Sequence, residues 1–334
     1  MPDEIKVRVE RAIAEKVFPG CVVGTIRANS SREIRPFGAF TYEPNSQKVE
    51  ENTIYDLASI TKSIPTASLA LRLVAEGKLR LSDRVAEYLP ELKNDHGATV
   101  EDLLAYRVKG PRLSILKDKT VDGILEHVFE AGFDGLPGAS YYTNFPALIL
   151  GLVIERATKV SLERLAQEYF FLPLNMSHTT CFPSRDLADK KDEIAPTEID
   201  EWRGEVRGFP HDESAYIFAK SERAVGHAGL FSTAPDILNF LEALLCGALP
   251  AVFSGAQKGW GWQKAEPWFM GSHFGRGAFG KTGFTGTSVA IDPERGVAFV
   301  ILSNRTYPKR PPDATSMHSA INTFRADIAD IVLR

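Results

Sequence analysis

The sequence predicts a mixed α/β fold of the α+β kind: an antiparallel β-sheet flanked by terminal helices, with an all-helical lobe inserted into it. Three observations carry this prediction. Short, β-branched apolar segments lie near both ends of the chain, the apolar period from Asp56 to about Leu245 is helical, and strands and helices do not alternate as a βαβ repeat. A chain of 334 residues and 36.8 kDa fits one bilobal protein. Its 44% hydrophobic and 25% charged residues exclude wholesale disorder, collagen and coiled coil. With 39 basic and 43 acidic residues the formal charge is −4, so no basic field is present to hold nucleic acid.

Residues 3–18 place Ile5, Val9, Ala12, Ile13 and Val17 on one helical stripe, which Pro19-Gly20 closes. Cys21–Ile26 and Glu33–Tyr42 flank a Ser/Asn/Arg turn and read as a hairpin. Gly77 ends one helical segment, Ser82 reads as the N-cap of the next, and Thr99-Val100-Glu101-Asp102 resembles a capping box. Residues 184–222, rich in charge and proline, form a long excursion of the kind that often carries function. In the tail, Gly283–Ile291 and Val297–Ser303 read as strands joined at Asp292-Pro293-Glu294-Arg295-Gly296, before a last helix near Met317–Leu333. The lobes divide at about 1–58 with 225–334 for the sheet and about 59–224 for the helices.

Cys21, Cys181 and Cys246 are widely spaced, without a Cys-x-x-Cys, and read as buried reduced thiols. The first 18 residues carry charge throughout, and the longest apolar run, Pro146–Ile154, falls short of the roughly 20 residues that span a bilayer. The expectation is a cytoplasmic protein without a membrane span, or a periplasmic or secreted one if a signal has been removed. His211-Asp212 and His227 lack a third ligand at metal spacing and read as structural; neither a metal nor a cofactor is expected. Trp260, Trp262 and Trp268 read as core or lobe packing before an aromatic wall.

Gly275–Thr282, GRGAFGKT, fits two phosphate-loop patterns, but the glycines and β-branched residues that follow resist the helix both require. Ser59-Ile60-Thr61-Lys62 is the stronger signal. Three residues apart at a helix start, the hydroxyl and the amine share one face. The stripe Ile64, Ala67, Leu71 and Val74 would anchor that turn, and Pro65 should kink it. The same spacing recurs in Ser114-Ile115-Leu116-Lys117, beside Lys109, Arg112 and Lys119, and reads there as a solvated loop. Tyr142-Thr143-Asn144 and Lys281-Thr282-Gly283 each occur once; in isolation they read as a core tyrosine with an Asn N-cap, and as a strand end.

Together and in this order, the three motifs resemble those of the penicillin-recognising serine hydrolases, in the branch of class C β-lactamases, family VIII esterases and penicillin-binding proteins. Supporting segments include Gly226-His227-Ala228-Gly229-Leu230 and Phe284-Thr285-Gly286-Thr287. The resemblance implies an active-site cleft between a sheet lobe and a helical lobe. It implies Ser59 as the acylated nucleophile, Lys62 and Tyr142 as the proton-transfer pair, and Asn144 as an orienting partner. Lys281 and Thr282 would form a substrate-facing strand edge, and the amides of Ser59 and Phe284 an oxyanion hole. His211 would border the cleft.

Burial and the charge of Lys281 should drive Lys62 towards neutrality, and the cationic surroundings should favour a tyrosinate at Tyr142; which of the two takes the serine proton stays open here. Gly283 should let substrate lie close to the strand. Ala105-Tyr106-Arg107-Val108 departs from the segment common in relatives, and the retained Lys281 points to a carboxylate-bearing substrate. The implied function is a serine acyl hydrolase acting on a small ester, amide or β-lactam. The alternative is a penicillin-binding or sensory protein that keeps the fold without turnover.

Overall fold

The computed structural model describes residues 3–28, 31–116 and 120–334. Six strands form its central sheet: β1 (Gly20–Arg27), β2 (Arg32–Gly38), β3 (Gln263–Lys264), β4 (Phe279–Thr282), β5 (Ser288–Asp292) and β6 (Val297–Ser303). Their order is β2-β1-β6-β5-β4-β3, and every pairing is antiparallel. The two ends of the chain meet in the middle of the sheet, where Cys21 faces Ser303 and Arg27 faces Val297. Pro36 is accommodated because β2 is an edge strand.

Strand alternation decides what covers each face. Val297, Phe299 and Ile301 turn to the face covered by helices α1 (Glu4–Ala14) and α5 (Ala320–Leu333), where they meet Val9, Ala12, Phe324 and Ile328. Ala298, Val300 and Leu302 turn the other way, toward the larger core that holds the remaining three labelled helices, α2 (Ser68–Ala75), α3 (Phe145–Thr158) and α4 (Ala234–Leu245). A Cβ at Gly24 would stand 2.9 Å from Val300 and 3.1 Å from Leu238, so glycine lets α4 seat on β1. Helix α3 is buried continuously from Phe145 to Ile154, which explains why the longest apolar run is a core helix. Among the described residues no single helix is long and apolar enough to cross a membrane.

Several local expectations shift. Helix α1 stops at Ala14 because Lys16 takes a φ of 57° and Val17 N folds back to Ala12 O. Ser82 is no cap: the following helix, Val85–Tyr88, starts from Arg84, and Asp83 instead accepts from Arg80 N and Tyr88 Oη. The Thr99 box is present, with Asp102 N donating to Thr99 Oγ1 at 3.3 Å and Thr99 N to Asp102 Oδ2 at 2.8 Å. The strand expected over 283–291 is divided, because Gly283 N donates to Thr287 O and makes 283–287 a turn. Cys21 and Cys181 are buried but Cys246 is exposed at the end of α4. The phosphate-loop patterns fail structurally: carboxylates of Asp292 and Glu294 occupy the Gly275 and Gly277 amides at 2.8 and 3.2 Å, and β4 follows where a helix would be needed.

Candidate active site

The turn that presents Ser59 is strained and clamped. Ala58 takes a φ of 47°, in the left-handed region that costs a non-glycine residue roughly 1–2 kcal/mol. Buried Asp56 holds this geometry, accepting from Ala58 N at 2.8 Å and from His211 N at 2.6 Å. Burial lifts the Asp56 carboxyl above its usual range, against the two amides that stabilise its charge. Ala58–Lys62 then forms a tight 3₁₀ turn, in which Thr61 Oγ1 donates to Ala58 O and accepts from Leu230 N. The kink expected at Pro65 falls at Ile64, whose φ of −119° and ψ of 110° are the extended values a residue before proline prefers.

Lys62 Nζ lies 2.8 Å from Ser59 Oγ and donates to His227 O at 2.6 Å. Its side chain is 1% exposed, and burial pushes it down to about 7 while the charge of Asp212 pulls it upward. Lys281 is as deeply buried, and its ammonium sits over the rings of Tyr142 at 4.4 Å and Tyr106 at 5.1 Å. Burial, and then the charge of Lys62, hold Lys281 well below the ordinary lysine range. Tyr142 stands at the rim with 51% of its surface exposed. Loss of solvent around its phenol raises it to about 12, more than the Ser59 hydroxyl lowers it. This direction runs against the tyrosinate expected from the sequence.

Asn144 stands at the N-cap position before α3, but its side chain makes no capping bond; its Nδ2 donates to Asp212 Oδ2 at 3.0 Å. The other oxygen of Asp212 accepts from Ser214 Oγ and Ala215 N and lies 3.2 Å from His227 Nε2. Burial would raise this carboxyl, but His227 and those donors hold it well below the usual carboxylate range. His227 Nε2 is thus taken by Asp212 and Ser214, and among the described residues no group of three His, Cys, Asp or Glu side chains is placed for a metal ion. Asp56, Asp212 and the His227 carbonyl are the components that sequence reasoning left without a role at Ser59.

Ser59, Tyr142, Asn144, His211, Asp212 and Phe284 line one cavity of about 470 Å³. His211 is 3% exposed, its ring 5.5 Å from that of Phe284 and its Nε2 3.0 Å from Glu198 Oε2 without hydrogen-bond alignment, so it builds the wall. Phe284 is positioned by the turn it begins: Thr285 Oγ1 donates to Asp56 O and Thr287 Oγ1 to Leu57 O, which fastens this turn beside the one bearing Ser59. Thr282 ends β4 just before it. Gly283 serves this fastening, which differs from the expectation of substrate approach, since a Cβ there would lie 2.1 Å from Thr287 Oγ1 and 2.4 Å from Leu57 O. Ser114, read as part of a solvated loop, lines the same cavity beside Arg112, whose Nε donates to its hydroxyl at 3.0 Å. Lys117 and Lys119 of that segment lie outside the described residues. Trp262 and Trp268 pack against Phe279 and Phe269.

A hydroxyl hydrogen-bonded to a buried amine, at the junction of an antiparallel sheet and a helical region, defines the fold class of β-lactamases and transpeptidases. The family model "Beta-lactamase" matches residues 7–321, and the chain belongs to that family. It is 30% identical to a putative D-alanyl-D-alanine carboxypeptidase of Escherichia coli K12, covering 78% of this chain and 71% of the relative. It is 26% identical to an N-acetylmuramyl-L-alanine amidase of Bacillus subtilis 168, covering 90% and 80%. A class C β-lactamase crystal structure superposes with a TM-score of 0.75 at 19% identity, over 98% of this chain and 97% of the other. The chain is a β-lactamase-fold hydrolase.

Proposed function

We propose that Ser59 forms an acyl-enzyme with small amides or esters, and that Lys62 is the base that activates it. The observation that carries this is the 2.8 Å contact between Lys62 Nζ and Ser59 Oγ, made by an amine that burial leaves half-neutral near pH 7. As Ser59 Oγ bonds to the substrate carbonyl carbon, its proton passes to Lys62 Nζ, and the amides of Ser59 and Phe284 take up the oxyanion. Collapse breaks the carbonyl–leaving-group bond; the departing nitrogen or oxygen takes a proton from the Tyr142 phenol, which regains it from Lys62. Water then repeats the sequence on the ester, returning Ser59 and releasing the acid. Asn144, held by Asp212, faces the same cavity and orients the substrate.

Two relatives have names that describe amide cleavage, and that of the putative D-alanyl-D-alanine carboxypeptidase supports an amide ending in a D-amino acid as the first substrate to try. The protein and Ser59→Ala are incubated with a fluorophosphonate probe, D-alanyl-D-alanine peptides, a chromogenic short-chain ester and a cephalosporin. Labelling and turnover that vanish in Ser59→Ala are the expected result. Labelling without turnover of any substrate favours the binding or sensory alternative, and absence of labelling overturns the proposal.

A further inference from the structure

The turn that carries the Phe284 amide is gripped from behind by two buried arginines. Arg325 of α5, 3% exposed, donates through Nη2 to Gly283 O at 2.8 Å and to Thr287 O at 2.7 Å. Arg305, two residues beyond β6 and 6% exposed, donates through Nε to Phe284 O at 2.9 Å, and through its backbone N–H to Thr285 O at 2.8 Å. The remaining acceptors of the two guanidinium groups among the described residues are Ala314 O and Asn322 Oδ1, so none is a carboxylate. Burial, and then the charge of Arg305, push Arg325 well below the ordinary arginine range. A purely structural tie needs donors and not a desolvated charge.

The place of that charge gives it a use. Gly283 C=O and Phe284 N–H are the two ends of one planar peptide unit. A cationic donor on the oxygen draws electron density along the unit and leaves the N–H a stronger donor, as bonded chains of dipoles polarise one another. The following peptide has its oxygen, Phe284 O, on Arg305, so both planes that flank Phe284 are fixed. Phe284 lines the Ser59 cavity, and its N–H donates to no acceptor among the described residues. A donor that is oriented beforehand and left free is what a developing oxyanion requires.

We propose that Arg325 is a positioning residue for acyl transfer: it orients and polarises the peptide between Gly283 and Phe284 so that its N–H binds the oxyanion, while Arg305 fixes the next peptide. The inference rests on acyl chemistry at Ser59. Its test pairs 4-nitrophenyl butanoate with the thiono analogue, whose carbonyl oxygen is replaced by a sulfur that accepts hydrogen bonds weakly. Arg325→Gln should lose roughly tenfold in kcat/KM for the oxygen ester, less than the 10²–10³-fold cost of removing a whole oxyanion donor, and little for the thiono ester. The ratio of the two rates does not depend on how much of the variant folds. Arg325→Lys, which keeps the charge, should recover part of that ratio. An unchanged ratio in Arg325→Gln overturns the proposal.

A spectroscopic arm separates this inference from the catalytic one. In Ser59→Ala carrying isotope-labelled phenylalanine, the Phe284 amide resonance is identified by its loss in Phe284→Leu. That resonance should move to higher field when Arg325→Gln is added, as the N–H loses polarisation. No movement, or movement to lower field, overturns the proposal even where Ser59 of the parent is labelled by fluorophosphonate. Movement to higher field in a protein whose Ser59 takes no label upholds the polarised peptide and overturns the acyl-enzyme reading alone.

Discussion

The floor under Ser59 and the wall behind Tyr142 each contain a lysine that is 1% exposed, and the two are built differently. Lys62 has oxygen partners, a serine hydroxyl at 2.8 Å and a backbone carbonyl at 2.6 Å, with the Asp212 carboxylate acting on its charge. Lys281 has the faces of two tyrosines. Burial lowers both, but Lys62 stays near 7 while Lys281 falls well below the ordinary lysine range. The difference shows how one cleft assigns two roles to one side-chain type. An amine with polar partners and a balancing anion can gain and lose a proton near neutrality, whereas an amine packed on ring faces beside another cation is driven further towards its neutral form.

Substituting each lysine is the most forceful way to break this comparison. Lys62→Met should slow acylation of Ser59 by about 10²–10⁴-fold, the range general acid–base catalysis supplies. Lys281→Met should slow it by only about tenfold, equivalent to about 1.4 kcal/mol of transition-state stabilisation. Rates of fluorophosphonate labelling, normalised to folded protein, measure both. Equal losses would show that the two lysines share one role.

The clamp beneath the floor gives the next effect. Asp56→Ala leaves the buried amides of Ala58 and His211 without their acceptor and removes the restraint on a left-handed residue. A loss of about 3 kcal/mol in unfolding free energy is expected, since each unsatisfied buried group costs roughly 1–3 kcal/mol. Asp56→Asn, which keeps one acceptor, should lose less. Denaturant titrations compare the two, and equal stability of all three proteins would remove Asp56 from the account.

What could be read from the sequence follows from how locally each feature is encoded. Ser59 and Lys62 lie one helical turn apart, so their contact is written in the spacing itself, and the Thr99 box is equally local. The antiparallel sheet was legible because β-branched segments at both ends had to find partners. Asp56 was not legible as a clamp because its partner His211 lies 155 residues away, nor Asp212 as the support of Asn144, 68 residues earlier. An isolated aspartate carries no periodic signal. Ser114 misled in the opposite direction: its basic neighbours suggested solvent, while buried Leu113 and Leu116 on either side carry the segment into the cleft wall. The upward direction at Tyr142 was missed for a different reason, since its charged neighbours are visible in sequence and the burial of its phenol is not.

The smallest effect sharpens the comparison through Asp212, which supports the charged form of Lys62. Because Lys62 must lose its proton to accept that of Ser59, the labelling rate should rise with pH through about 7 and level off above it. Asp212→Asn removes the anion that favours the ammonium form, so Lys62 should deprotonate more readily and the acid limb should move to lower pH. In this variant the single amide oxygen serves either Ser214 and Ala215 or Asn144, which use different oxygens of Asp212, so the height of the plateau reports the lost hydrogen bond and the position of the limb reports the charge. The displacement should stay below about one pH unit, because such a shift already corresponds to 1.36 kcal/mol of interaction. Labelling rates across pH 5 to about 9 would record it. An acid limb that moved upward, or stayed in place while the plateau fell, would show that Asp212 acts by holding Asn144 and leaves the proton affinity of Lys62 untouched.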